Sequence, residues 1–176
     1  MMKKILLGLF VVASFQLCAQ SNESLIKVEW LQPEKYSDIR PANEPKGSYR
    51  RHVLASFDKF WQKMSARLPQ GYTVKLTMKD VDLAGDVNPL YRLDNREIRV
   101  IKEIYFPRIT LDYQVLDGNN QVVLEGKDVK IKDMNFMNTT GLRYSSQEFG
   151  HEKAMLDKWF TATVLAKTGT VQDPSP

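Results

Sequence analysis

From residue 25 to residue 31 the side chains alternate, with Ile26, Val28 and Trp30 on one face and Lys27 and Glu29 on the other. A period of two is that of a strand with one buried face. Over residues 48–68 the period lengthens. Val53, Leu54, Phe57, Phe60, Trp61, Met64 and Leu68 recur every three to four positions, and Pro69 and Gly71 close the run. That spacing predicts an amphipathic helix. Alternation returns over 72–79, with Val74, Leu76 and Met78 facing in, and over 108–116, with Ile109, Leu111, Tyr113 and Val115 facing in. Asp117-Gly118-Asn119-Asn120 predicts a hairpin, and 121–132 returns as its partner. Its inward parity changes from Val122 and Leu124 to Val129 and Ile131, which predicts a bulge near Gly126. A short strand is expected over 97–101. A second helix carries Phe149, Met155, Leu156, Trp159, Phe160 and Val164 in one stripe and ends at Lys167 and Gly169. Ser145 with Glu148 three residues on predicts a capping box at its start.

Three segments carry neither period and are expected as loops. Residues 32–47 hold Pro33, Pro41 and Pro45; residues 80–95 are acidic and contain Gly85 and Pro89; the third segment is 135–144. The resulting order, β-α-β-β-β-β-α, implies an α+β fold. Its expected form is a mostly antiparallel sheet of four to five strands with two amphipathic helices packed on one face.

The N-terminus changes the picture from fold to address. Lys3 and Lys4 precede the uncharged apolar run 5–15, and Leu17-Cys18-Ala19 follows. This is the three-part pattern of a secretory signal, and the run is about half the roughly 20 residues that span a bilayer. The expected organisation is a signal peptide over 1–19, a flexible leader over 20–24, a single α+β domain over 25–169 and a disordered tail over 170–176. The processed protein is expected to start at Gln20 and to be periplasmic or secreted, with no transmembrane span. Lipidation of Cys18 is the competing fate of the N-terminus, but Gln16 and Leu17 stand where lipoprotein signals carry small residues. Cleavage after Ala19 removes the chain's one cysteine, and with it any disulfide, thiol nucleophile or cysteine metal site. It also removes Lys3 and Lys4, so the formal charge of +4 falls by two to +2. There is no long basic run, the densest group being Arg50-Arg51-His52, and nucleic acid is not an expected partner.

Five segments taken in order carry a family resemblance: Tyr36-Ser37-Asp38-Ile39-Arg40; Asp80-Val81-Asp82-Leu83-Ala84-Gly85-Asp86; Arg99-Val100-Ile101-Lys102 with Pro107-Arg108-Ile109; Lys132-Asp133-Met134-Asn135-Phe136; and Met155-Leu156-Asp157-Lys158-Trp159-Phe160. Together they resemble the bacterial family called domain of unknown function 3016. The resemblance implies a bacterial envelope protein. It implies no activity and supplies no functional residues.

The residues themselves offer four constellations. His151-Glu152-Lys153-Ala154-Met155 has the start of a helical zinc-protease motif, but Met155 stands where the second histidine belongs, so His151 reads as a surface residue. Asp80, Asp82 and Asp86, with Asp94 further on, could group as Ca²⁺ ligands or as paired carboxylates. Ala84 breaks the calcium-loop spacing, and aspartates at a strand end more often fix turns. Arg40, Arg50, Arg51, Arg96, Arg99 and Arg108 suit carboxylate or phosphate, or pair internally with Asp38, Asp80 and Asp82. Trp30, Trp61 and Trp159 with Phe57, Phe60 and Phe160 lie on core faces.

The leading reading is an exported envelope protein that binds or assembles without catalysis, its partner a protein or a cell-wall component. Its binding residues are expected at Asp38, Arg40, Asp80, Asp82, Asp86 and Arg92, on loops carried by a rigid scaffold. No catalytic residue, metal or cofactor is expected. The competing reading is a metal-assisted hydrolase using the acidic loop 80–94.

Overall fold

The computed structural model describes residues 24–169. The expected signal peptide, the start at Gln20, Cys18 and the tail lie outside those residues. The chain opens with β1 (Ile26–Trp30) and a single 3-10 turn, Pro33–Lys35, entered through Gln32 in the left-handed region. A strap over residues 33–40 leads to α1 (Lys46–Ser65). Then come β2 (Thr73–Asp82), β3 (Asp86–Leu93), β4 (Arg96–Val100), β5 (Arg108–Leu116) and β6 (Val122–Lys132). Two single turns follow, α2 (Phe136–Thr139) and α3 (Leu142–Ser145). The last helix, α4 (Gly150–Phe160), continues through a π-helical segment, Thr161–Leu165, into a final turn, Ala166–Thr168. Among the described residues, no helix is long and apolar enough to cross a membrane.

The α+β class holds, with two differences in the sheet. Among the described residues four strands form one sheet in the order β1-β2-β5-β6, and β3 pairs with β4 in a separate two-stranded sheet. The main sheet is mixed, because β1 and β2 run parallel while β2-β5 and β5-β6 are antiparallel. The 20-residue α1 explains the parallel pair. A helix of that length returns the chain about 30 Å to the end where β1 began, the crossover that parallel strands require.

Both long helices cover one face, as the apolar stripes require. Trp30 of β1 meets Phe57 of α1 at 6.2 Å between ring centroids. Trp61 of α1 meets Phe160 of α4 at 5.8 Å, and Tyr113 of β5 meets Trp159 at 5.3 Å. Trp61 is 1% exposed, and its indole nitrogen has no hydrogen-bond partner among the described residues. Trp159 is only half-buried. It lies on the flank of its stripe, over the edge of Tyr113, while Phe160 beside it takes the buried position. The other face of the sheet carries Lys27, Glu29, Lys75, Thr77, Asp112 and Gln114 around an open trough of about 460 Å³.

The turn chemistry follows the residues that supply it. Asp117 Oδ1 accepts the N–H groups of Asn119 and Gln121 at 2.8 and 3.0 Å, closing the β5–β6 hairpin. The expected bulge lies where the register slips between Leu111 and Tyr113 opposite Val129 and Gly126. A Cβ at Gly126 would collide with the Tyr113 ring, so any other residue here has to displace that ring.

Three expectations are corrected. Residues 80–95 are not a loop. They complete β2 and form all of β3, and Asp94-Asn95, both at positive φ (49° and 64°), make the two-residue turn into β4. Pro89 falls where the β3–β4 register breaks, between Val87 and Arg92, so its missing N–H costs no ladder bond. Residues 135–144 contain α2 and most of α3 instead of running as loop. The capping box is absent. Ser145 Oγ donates to Leu142 O and Glu148 pairs with His52 at 2.6 Å. The helix starts instead at Phe149, in the left-handed region without a side-chain cap. Gly150 permits this start, because a Cβ there would overlap the Tyr144 carbonyl.

Candidate functional site

Past Trp30 the chain leaves the sheet edge, and the strap takes its place beside the end of β2. The Asp38 N–H donates to Val81 O at 3.1 Å, and the Leu83 N–H donates to Asp38 O at 3.2 Å, a one-residue parallel bridge between Asp38 and Asp82. Asp80 fixes the strap from below, accepting the Ser37 N–H at 2.7 Å and the Ser37 hydroxyl at 2.6 Å. Tyr36 anchors the other side, its buried hydroxyl donating to Met78 O at 2.7 Å. Burial, helped by the nearby Asp80 and Glu34 charges and opposed by the Leu31 N–H, keeps the hydroxyl protonated.

Arg99 of β4 ties the hairpin to this junction. Its guanidinium donates to both Asp38 carboxylate oxygens, at 2.8 and 3.3 Å, and to the carbonyls of Ala84, Gly85 and Arg40, at 3.3, 3.2 and 2.8 Å. A planar fork suits such a convergence, since it satisfies several acceptors in one plane. Burial works against the Arg99 charge, and the Asp38 carboxylate more than offsets it. Asn43 adds a second tie, exchanging hydrogen bonds with the Glu97 backbone. Asp82 pairs with Arg108 at 2.6 Å, yet burial still lifts its carboxyl above the ordinary range.

Around this junction lies a polar cleft of about 400 Å³, lined by the strap, the start of α1 and the base of β3. Asp38, Arg40, Asp82 and Asp86 of the expected binding set line it. Asp80 lies just outside, holding the strap, and Arg92 is not brought there at all. Arg92 pairs in register with Glu97 near the tip of the hairpin, whereas Asp86 pairs with Val100 at its base. That is about 20 Å along an extended strand. The cleft adds Lys46 and Arg50, from the first turns of α1. Lys46 was not expected at all, and Arg50 was read as one of a general basic set. Among the described residues Arg40, Lys46 and Arg50 make no ion pair with a carboxylate.

A smaller cleft, about 210 Å³, opens on the other side of the Leu83–Ala84 turn, against the first turn of α4. Its floor is Glu152, which is 2% exposed and accepts the Ala84 N–H at 2.6 Å. Burial raises its carboxyl above the ordinary range, and the N–H groups of Ala84 and Glu152 itself oppose the rise. His151 beside it is half-buried, not the surface residue expected. Its Nδ1 meets Thr140 Oγ1 at 2.5 Å, and the Thr140 hydroxyl donates to Phe136 O at 2.7 Å. The hydroxyl proton is thereby used, so a neutral His151 carries its proton on Nδ1 and offers Nε2 as an acceptor. Lys153, also buried, donates to Ser56 Oγ at 2.9 Å and to Glu148 O at 2.7 Å.

The family model for DUF3016, described as a protein of unknown function, matches residues 24–162. The chain belongs to the DUF3016 family. No curated protein and no solved structure matches it. The DUF3016 match runs from just before β1 into the π-helical segment, so both clefts lie within it. The family description names no activity and carries no residue roles.

Proposed function

We propose that this DUF3016 protein is exported and acts by binding, not by catalysis, and that its partner presents a carboxylate or phosphate to the cleft beside the strap. The observation that carries the reading is the division of charge there. Asp38 and Asp82 are neutralised by Arg99 and Arg108, and Asp80 holds Ser37. Arg40, Lys46 and Arg50 are left lining the cleft without carboxylate partners among the described residues, alongside Glu34 and Asp86. Arginine forks bind carboxylate and phosphate oxygens in pairs. The two acids give the partner a place for cations of its own. Envelope components with this chemistry include cell-wall peptides and lipid phosphates. The hydrolase reading has less support, because Asp80 and Asp82 already hold Ser37 and Arg108.

The test compares binding of the purified protein to isolated cell-wall sacculi and to vesicles containing an anionic phospholipid, before and after the double substitution Arg40→Ala and Arg50→Ala. The reading expects saturable binding to one of them, lost in the variant with an unchanged melting temperature. Binding that survives the double substitution rejects the cleft. Export is tested separately, by N-terminal sequencing of protein from the exporting cell. A start near Gln20 is expected, and an intact Met1 or a lipid on Cys18 contradicts it.

A further inference from the structure

We propose that the smaller cleft, between the Leu83–Ala84 turn and the first turn of α4, binds a small organic cation, a protonated primary amine on an apolar body, with Glu152 as its counter-charge. This goes beyond the function proposed above, since it concerns a different cleft and a ligand of opposite charge.

What distinguishes the cleft is which of its hydrogen-bonding groups are already used. Each hydroxyl, amide and guanidinium on its walls already donates to a protein acceptor. The Arg99 guanidinium is taken by Asp38 and three carbonyls. The Tyr144 hydroxyl donates to Asp157 at 2.8 Å, the Ser145 hydroxyl to Leu142 O at 3.2 Å and the Gln147 amide to Arg143 O at 2.7 Å. The Thr140 hydroxyl donates to Phe136 O. What remains is acceptor capacity: Nε2 of neutral His151, and the Glu152 carboxylate, whose hydrogen-bond donors are two backbone N–H groups.

Glu152 also makes no ion pair among the described residues: the neighbouring His151 and Arg99 act on its carboxyl only through space, and Arg99 is neutralised by Asp38. A buried carboxylate without a cation is costly, and a cationic donor in this cleft removes that cost. Leu83, Ile101 and Phe149 supply apolar walls. At about 210 Å³ the space is below the roughly 300–1,000 Å³ of drug-sized sites, so the ligand is small.

The test uses the full chain and three probes of one shape: 2-phenylethylammonium, 2-phenylethanol and phenylacetate. NMR titration follows the His151 ring and Ile101 methyl signals. The ammonium should shift both saturably, the alcohol should bind roughly tenfold more weakly or worse, and phenylacetate should leave them unmoved. Glu152→Gln is isosteric and keeps an acceptor for the Ala84 N–H. It should bring the ammonium down to the affinity of the alcohol. Ile101→Trp fills the cleft from an exposed rim position and should abolish binding at an unchanged melting temperature. Arg40→Ala with Arg50→Ala should leave it intact, which separates this site from the other cleft. No saturable shift with the ammonium, equal affinity for all three probes, or full affinity in Ile101→Trp each overturns the assignment. Should Glu152→Gln fail to fold, the probe series and Ile101→Trp still decide.

Discussion

Between the main sheet and its two long helices, the contacts are rings against rings: Trp30 on Phe57, Trp61 on Phe160, Tyr113 on Trp159. Where the strap meets the β3–β4 hairpin, the contacts are charges and carbonyls: Asp38 and three carbonyls on Arg99, Asp82 on Arg108, Asp80 on Ser37. The first region is held by removal of apolar surface from water, which is non-directional and tolerates small adjustments. The second is held by bonds that need particular atoms at particular distances. A two-stranded hairpin is marginal by itself, and Leu90 and Leu93 on this one are exposed, so its position depends on Arg99 and Asn43. Glu152 belongs to both regions, rising from the apolar helix α4 to hold the Ala84 end of the junction.

The largest loss of stability is expected from removing a ring from the core. Trp61→Ala should cost about 3–5 kcal/mol, read as an early melting transition by calorimetry. Trp159→Ala should cost about half as much, since Trp159 is only half-buried. Equal losses would mean that the edge of the sheet is as tightly packed as its centre.

Arg99→Ala comes next. It strands the Asp38 carboxylate and frees three carbonyls at once, with an expected loss of about 1.5–3 kcal/mol. The loss should appear first as faster hydrogen exchange in β3 and β4, with β2 and β5 still protected. Uniform exchange across the sheet would show that the hairpin is part of the core's cooperative unit.

Glu152 supplies a pH test. Burial raises its carboxyl above the ordinary value of 4.5, so the folded chain holds that proton more tightly than the unfolded chain. The stabilisation is fully present below that value and is lost as pH rises through the folded value. Wild-type protein should therefore lose stability relative to Glu152→Gln as pH rises above about 4.5, measured by denaturant melts across pH. A difference that stays flat with pH contradicts the buried carboxyl.

The smallest effect is expected at Arg92. It is exposed near the hairpin tip, and Arg92→Ala should leave stability within about 0.5 kcal/mol. The same substitution should leave binding at the strap cleft unchanged. A clear loss of binding would extend the site along the hairpin.

Local spacing along the chain places the apolar layers. The stripe of Val53, Phe57, Phe60 and Trp61 and the alternation of Val74, Leu76 and Met78 each admit one periodic element and one buried face, and all seven are buried. Gly126 was legible for the same reason, because the change of parity around it has to be absorbed somewhere. Tertiary structure decided three things: the parallel pairing of β1 with β2, the partner of each charge, and the burial of Glu152. None leaves a periodic trace. Arg99 looks like Arg92 or Arg96 in the chain until the strap arrives from 61 residues away with Asp38. Glu152 sits in a polar run, His151-Glu152-Lys153, and becomes buried only because the Leu83–Ala84 turn, 68 residues earlier, closes over it. Hydrophobic burial is written in local spacing. A polar contact between distant segments is written in neither of them until the core brings them together.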